Sequence, residues 1–425
     1  MTVAVFLGSL LAAMALGMPI AYALLVSGAA LMWHLDMFDA QILAQNVING
    51  ADSFPLLAVP FFMLAGEIMN VGGLSKRIVN LALALVGHMR GGLGYVTILA
   101  AVLMAALSGS AVADTAALAA LLLPMMVKAG HDPAKAGGLI ASAGIIAPVI
   151  PPSIGFVIFG VAANLSIGKL FIAGIVPGLM LGVSIAVAWY FVAKRENITP
   201  PAKATSAERW AAARSSTWAL FLPVIVLVGL KMGVFTPTEA AVVAAVYALF
   251  VATVIYREMT VAQILPVFVS AAKTTAVIMF LVAAAMVSAW LITVANLPAQ
   301  LIGLLQPFMD SPTLLMIAIM LLVIAVGTAM DMTPTILILT PVLMPVVKAA
   351  GIDPIYFGVL FIINNAIGLI TPPVGTVLNV VAGVGKMKMD DVTRGVLPFM
   401  LAQFIVLFLL VLFPQLVLWP LKLFY

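Results

Sequence analysis

In a chain that is 65% apolar and only 8% charged, the residues able to do polar chemistry gather in four short stretches. Two are small, hydroxyl-bearing and acidic: Ser108-Gly109-Ser110-Ala111-Val112-Ala113-Asp114-Thr115 and Gly327-Thr328-Ala329-Met330-Asp331-Met332-Thr333-Pro334. Two carry paired prolines: Ile146-Ala147-Pro148-Val149-Ile150-Pro151-Pro152-Ser153-Ile154-Gly155 and Gly368-Leu369-Ile370-Thr371-Pro372-Pro373-Val374-Gly375-Thr376. Proline lacks an N–H and clashes with the preceding turn, so two in succession unwind a helix. Carbonyls freed in this way at membrane depth must be met by protein, water or an ion. Carbonyls and hydroxyls close together suit a hard cation such as Na+, and the N-terminal ends of interrupted helices suit a carboxylate. Other chemistries are poorly served. The absence of cysteine excludes disulfides, thiolate metal sites and a cysteine nucleophile. His34, His88 and His131 are too far apart in sequence to suggest a histidine-rich metal site.

The elements that position these stretches must live in lipid. A soluble domain is about 45–50% apolar and about 25% charged, and a globule with this composition could not present a wettable surface. A soluble enzyme, a disordered chain and a nucleic-acid binder are therefore excluded; the solvent is membrane lipid. A bilayer core of roughly 30 Å needs about 20 apolar residues per helix. Residues 3–33 are apolar with a turn expected at Gly17-Met18-Pro19, and with Lys76 as the first cation they read as retained membrane segments. Residues 194–216 are the one sizeable polar stretch, a linker between two halves.

Those halves are related. A shift of 221 residues aligns Pro124–Pro177 with Pro345–Pro398 without a gap, matching Pro124/Pro345, Gly130/Gly351, Asp132/Asp353, Pro133/Pro354, Pro151/Pro372, Pro152/Pro373, Gly174/Gly395 and Pro177/Pro398. Apolar composition alone would pair leucines, not Gly-x-Asp-Pro followed by Pro-Pro. The expected fold is an all-α polytopic membrane protein of two inverted-topology repeats. The first, 1–193, comprises scaffold helices 1–72, an arm 74–90, a re-entrant hairpin 93–128, a broken helix 137–165 and a helix 170–192. The second, 217–425, comprises scaffold helices 217–294, an arm 296–309, a hairpin 314–349, a broken helix 355–385 and a helix 396–421. With the linker in the cytoplasm and one re-entrant hairpin per half, 15 of the 19 Lys and Arg residues fall on the cytoplasmic side and the N-terminus faces the periplasm. The arm around Leu74-Ser75-Lys76-Arg77 reads as an interfacial helix with its cations toward headgroups. Trp189, Trp210, Trp218, Trp290 and Trp419 read as interfacial anchors near span ends.

Each feature also has a plainer reading. Ser108-Gly109-Ser110 could be a helix-packing face, Asp114 and Asp331 could cap their helices, and each proline pair could be a simple kink. Asn364-Asn365 either line a substrate path or pack between helices, and Glu67 and Glu239 near helix ends fit structural roles. Recurrence of the whole set, in order, in both halves favours the joint reading. A serine hydrolase built on Ser108 or Ser110 would need a base within hydrogen-bond reach, and His88 and His131 are expected at the cytoplasmic surface.

At these residues the chain resembles the large membrane subunit of the tripartite ATP-independent periplasmic (TRAP) transporters over essentially its full length. The signature stretches are Leu107–Ala116, Ile146–Ser153, Phe235-Thr236-Pro237-Thr238-Glu239-Ala240 and Leu369–Gly375. The run of sequence, including His34-Leu35-Asp36 and Asp52-Ser53-Phe54-Pro55, is similar in particular to the 2,3-diketo-gulonate uptake branch. The resemblance implies Na+-coupled uptake of an organic acid (sugar acid, keto acid or dicarboxylate) by an elevator movement of a transport domain against a scaffold. It implies a periplasmic substrate-binding protein that delivers the cargo, a separate small four-helix membrane subunit, and a place in the bacterial inner membrane. Two Na+ sites carry over: Ser108, Gly109 and Ser110 with Pro148, Pro151 and Ser153; and Gly327, Thr328 and Met330 with Gly368, Thr371 and Thr376. Substrate contacts are expected from Ser110, Asp114, Ser153, Asp331, Asn364, Asn365, Thr371 and Pro372. The alternative within transport is a single-component Na+/dicarboxylate carrier that needs no binding protein.

Overall fold

The computed structural model describes residues 2–424 except 197, 199, 297, 298, 300, 301, 304, 305 and 307. Its described residues form helices and turns without a strand. An apolar solvent explains this, because only a helix bonds all its backbone groups within one segment. The first half contains α1 (Thr2–Ala15), α2 (Ile20–His34), α3 (Ala40–Ala51), α4 (Ala58–Val71), α5 (Leu74–Val86), α6 (Gly92–Ser108), α7 (Ala111–Lys128), α8 (Pro133–Gly144), α9 (Ile154–Ala163) and α10 (Ile167–Ala193). The second contains α11 (Ser206–Lys231), α12 (Pro237–Phe250), α13 (Val261–Val294), α14 (Pro312–Gly327), α15 (Met332–Ala349), α16 (Pro354–Gly368), α17 (Thr376–Gly385), α18 (Met389–Leu412) and α19 (Gln415–Phe424). Among the described residues eight segments are long and apolar enough to cross a membrane.

The spacing of 221 seen in the sequence also holds at helix ends whose own residues differ. It separates Ala111 from Met332 and Lys128 from Ala349, the ends of α7 and α15. Packing is mutual between the halves. The second piece of each broken helix lies against the second hairpin arm of the other half: α9 on α15, and α17 on α7. Around this core sit α2, α3, α4, α12 and α13, with α4 against α12 and α13 against α2, α3 and α4. Each hairpin arm has 16 to 18 residues, about 24–27 Å at 1.5 Å per residue, which is more than half a bilayer.

Several expectations are corrected locally. Within the scaffold segment 1–72, residues 40–51 form a separate amphipathic helix, α3, because Asp39 caps it by accepting from the N–H groups of Gln41 (2.7 Å) and Ile42 (3.3 Å). The polar linker is shorter than 194–216: Thr205 and Glu208 form a reciprocal capping box that starts α11 at Ser206. The terminal segment 396–421 is two helices, since α18 stops at Leu412 and Pro414 precedes α19. The arm α5 is tied to its neighbours. It packs on α6 and α11, and Arg77 pairs with Glu258 at 2.7 Å while lying 3.7 Å above the Tyr256 ring. Half of the residues of the second arm, 296–309, lie outside the described residues.

Trp189 is not an interfacial anchor. It is fully buried, donates from Nε1 to the Gly91 carbonyl at 2.8 Å, and fills the space left by Gly94. Trp210, Trp218 and Trp419 are exposed, as anchors would be. His131 is likewise buried rather than at the surface, because the Glu196 carboxylate 2.6 Å away satisfies its Nδ1.

Candidate functional site

The hairpins turn at residues that permit a sharp reversal. In the first, α6 ends at Ser108, Gly109 takes φ +62°, and Ser110 caps α7 by accepting from the Ala113 N–H at 3.4 Å. A side chain at Gly109 would collide with the Pro152 carbonyl and stand 3.1 Å from Ser153 Cα. The tip therefore lies directly on the first break, between α8 and α9. In the second hairpin, Gly327 and Gly368 meet backbone to backbone: a Cβ on Gly368 would sit 3.1 Å from Gly327 Cα. The Val374 N–H donates to the Thr328 carbonyl at 3.4 Å. Both pairs of stretches singled out in the sequence thus come together, tip on break, once in each half.

At each break the backbone is left with acceptors in excess. Among the described residues, no backbone N–H donates to the carbonyls of Ala147, Val149, Ile150, Pro151 or Pro152, nor to those of Ile370, Thr371, Pro372 or Pro373. Both Pro-Pro bonds are cis. The Ser153 hydroxyl donates to the Pro148 carbonyl and accepts from the Phe156 N–H, so it closes the first break and caps α9. Thr371 donates to the Ile367 carbonyl at 2.8 Å and Thr328 to that of Ala325 at 2.8 Å. These hydroxyls retain lone pairs. Residues 148–153 are buried throughout, whereas Pro373 and Val374 are exposed.

The two aspartates are not equivalent. Asp331 holds the position matching Ser110, the N-cap of its helix, but its side chain makes no capping bond. It accepts instead from the Thr376 hydroxyl across the junction, at 3.2 Å. Asp114 lies one turn inside α7, is 1% exposed, and accepts the Ser108 hydroxyl on Oδ1 at 2.5 Å. Its Oδ2 and the neighbouring Thr115 hydroxyl have no partner among the described residues. A buried acceptor without a partner is costly, so Asp114 offers the first junction a carboxyl oxygen that needs one. No cluster of three His, Cys, Asp or Glu occurs among the described residues. A cation here would be held by carbonyl, hydroxyl and single carboxylate oxygens.

Helix N-termini converge on the same region. Those of α7, α9, α15 and α17 all start at a tip or a break, and Met332 at the start of α15 lies over Gly155 at the start of α9. Their positive dipole ends and N–H groups are suited to an anion. Asn364 donates to the Met320 carbonyl at 2.7 Å, tying α16 to α14, and Asn365 donates to that of Phe361; the Oδ1 of each is buried without a partner. Sequence reasoning missed the buried pair Gln403 and Ser142, in which Gln403 Nε2 donates to the Ser142 carbonyl at 2.9 Å and both side-chain oxygens lack partners. A lone glutamine inside an apolar span was the available signal. It also missed Gly66, whose closeness to Ser108 seats the tip on α4.

Comparison with known proteins bears on what this arrangement serves. Residues 7–416 match the family model for the tripartite ATP-independent periplasmic transporter, DctM component. The chain is 63% identical over 422 residues, 99% of each chain, to the 2,3-diketo-L-gulonate TRAP transporter large permease protein YiaN of Escherichia coli (strain K12). It is 40% identical to the sialic acid TRAP transporter large permease protein SiaM of Vibrio cholerae, covering 94% of this chain and 93% of the other. It is 38% identical to the C4-dicarboxylate TRAP transporter large permease protein DctM of Pseudomonas aeruginosa, covering 92% and 91%. Among solved structures, the YdaH transporter of Alcanivorax borkumensis superposes with a TM-score of 0.62 over 88% of this chain and 89% of that one, at 15% identity, which is a likeness of fold.

Proposed function

The chain belongs to the tripartite ATP-independent periplasmic transporter family as a DctM-type large permease, and we propose that it imports a sugar acid or related organic acid together with Na+. It is a multi-pass membrane protein. In this reading it sits in the bacterial inner membrane with the 194–205 segment in the cytoplasm. A periplasmic binding protein delivers the cargo and a small four-helix subunit completes the assembly. The cargo class follows the relatives, whose names specify diketogulonate, sialic acid and C4-dicarboxylates. All are carboxylates, and the 63% identity to the diketogulonate permease favours a sugar acid.

The observation that carries the proposal is the excess of acceptors at both tip-and-break junctions. Break carbonyls without donors flank hydroxyls in each half, and in the first the unpartnered oxygen of Asp114 adds a further acceptor. Two Na+ ions, one per junction, would supply the missing partners and neutralise the surroundings enough for an anionic cargo to approach the four helix N-termini. The elevator reading draws on an asymmetry of burial. The α9 and α15 surfaces are covered by α4 and α13, whereas α7 and α17 expose Val112, Asn379 and Val384. A transport unit sliding past α4 and α13 would exchange which pair is covered. A single-component carrier lacks support, since the family match is to a multi-part system and the YdaH likeness is one of fold.

The test is uptake into proteoliposomes holding the assembled transporter, with a panel of radiolabelled sugar acids, keto acids and dicarboxylates. Uptake is expected only with an inward Na+ gradient and with more than one Na+ per cargo. Ser110→Ala and Thr371→Ala are each expected to weaken Na+ dependence while the protein remains folded. Uptake driven by protons alone, or an unaltered Na+ response in both variants, would overturn the two-site reading.

A further inference from the structure

Away from the two junctions, a groove opens where α8, α10 and α18 meet, with a volume of about 550 Å³. Three cations from three elements stand around it: Lys135 in the first turn of α8, Arg195 just beyond α10, and Arg394 near the start of α18. Its apolar side is formed by Val187, Phe191, Leu401 and Ile405, each more than half exposed. Among the described residues no ion pair involves any of the three cations. The nearby acids are otherwise placed: Glu196 is taken by His131, Asp132 caps α8 through the Ala134 N–H, and Asp390 and Asp391 occupy the first turn of α18. Three like charges around one cavity repel one another, and a bound anion reverses the sign of that interaction.

The apolar part of the groove does not stop there. A second cavity of about 710 Å³ shares Leu401 and Ile405 with the first and runs on along α18 past Phe404, Phe408 and Phe413, with only apolar residues around it. Both α10 and α18 are long and apolar enough to span a membrane, so this floor faces lipid. Arg394 and Ile405 are about 16 Å apart along α18 at 1.5 Å per residue, close to the depth of one leaflet, about half of 30 Å. Cations thus stand at one end of the groove and an acyl-length apolar track leads away from them. A soluble anion would use the cations but not the track.

We infer that this groove is a binding site for an anionic phospholipid, with the phosphate held by Lys135, Arg195 and Arg394 and the acyl chains laid along α10 and α18. Because Lys135 comes from the first repeat, Arg195 from the start of the linker that follows it and Arg394 from the second repeat, the lipid bridges the two repeats. The assignment is independent of cargo and coupling ion, so its failure leaves the proposed function standing, and the reverse.

The experiment reconstitutes the full chain in nanodiscs of equal parts phosphatidylglycerol and phosphatidylcholine, followed by native mass spectrometry of the lipid retained. Wild type is expected to retain phosphatidylglycerol in preference. Each basic residue near an anionic headgroup contributes about 1 kcal/mol, so Arg195→Gln/Arg394→Gln should lower that preference about thirtyfold, at about 1.4 kcal/mol per factor of ten. Ile405→Trp, which fills the track and leaves the cations in place, should expel the lipid as well. Equal retention of both lipids by wild type, or an unchanged preference in the charge variant, overturns the site. Retention of phosphatidylglycerol by Ile405→Trp would overturn the acyl track, and displacement of the lipid by added inorganic phosphate would mean that a free anion occupies the cations instead.

Discussion

Replacing Gly109 by alanine adds one carbon atom at the point where the first hairpin tip meets the first break. Two costs follow from the structure. The residue has φ +62°, a left-handed conformation that costs an L-residue with a side chain roughly 1–2 kcal/mol. The new Cβ would also collide with the Pro152 carbonyl and stand 3.1 Å from Ser153 Cα and 3.2 Å from the Ile154 nitrogen. Those are backbone atoms and cannot rotate aside. The tip relieves both costs by lifting off the break, which separates Ser108 and Ser110 from the donor-free carbonyls. If the angular cost alone is set against ion binding, about 1–2 kcal/mol corresponds to a Na+ affinity about five- to thirtyfold weaker. Gly327 provides the contrast: its φ is not in the positive range and its nearest neighbour would be Gly368 Cα at 3.3 Å, so Gly327→Ala should change affinity less than about threefold by the same conversion. The assay is Na+ titration of the thermal unfolding of the purified chain, since a ligand that binds only the folded state raises Tm with concentration. Far-ultraviolet circular dichroism checks that each variant is folded. A folded Gly109→Ala protein with a wild-type Na+ midpoint, or a larger effect at Gly327 than at Gly109, would refute the tip-on-break site.

Asp114→Asn keeps an acceptor for the Ser108 hydroxyl but removes the charge beside the first junction. The half-saturating Na+ concentration for uptake should rise more than about tenfold, and uptake that keeps its wild-type Na+ curve would take Asp114 out of the ion site. Trp189→Ala should cost about 3–5 kcal/mol of stability, because the ring is fully buried and closes the space over Gly94. Trp189→Phe, losing chiefly the bond to the Gly91 carbonyl, should cost about 1 kcal/mol; denaturant titration of both variants checks the ranking.

Much of this arrangement could be read from the linear chain because lipid makes its rules strict. An apolar run has to become a helix, and a proline pair inside one has to break it. Hence the hairpins and the interruptions at Pro151-Pro152 and Pro372-Pro373 stand where their residues imply. Polar segments at the periphery were less legible. Water satisfies a backbone there, so a single cap decides between loop and helix, as Asp39 does for α3 and Thr205 for α11. The same freedom hid the fates of Trp189 and His131. An aromatic or imidazole near a span end suits a headgroup region equally well as a cavity, and only partners distant in sequence, Gly91 and Glu196, settle the matter.

By itself the sequence determined the helical class, the duplication and the identity of the four interrupted stretches, because each depends on local backbone chemistry and on a repeat at fixed spacing. Only the tertiary structure decided which stretch meets which, that Asp114 stands a turn deeper than Asp331, that α9 lies on α15 and α17 on α7, and that Lys135, Arg195 and Arg394 share one groove. The reason is that side-chain meetings across helices depend on rotation about each helix axis and on the depth at which helices cross. Those quantities are set by the packing of the whole core, such as the closeness of Gly109 to Pro152 and of Gly327 to Gly368, and no window of consecutive residues contains them.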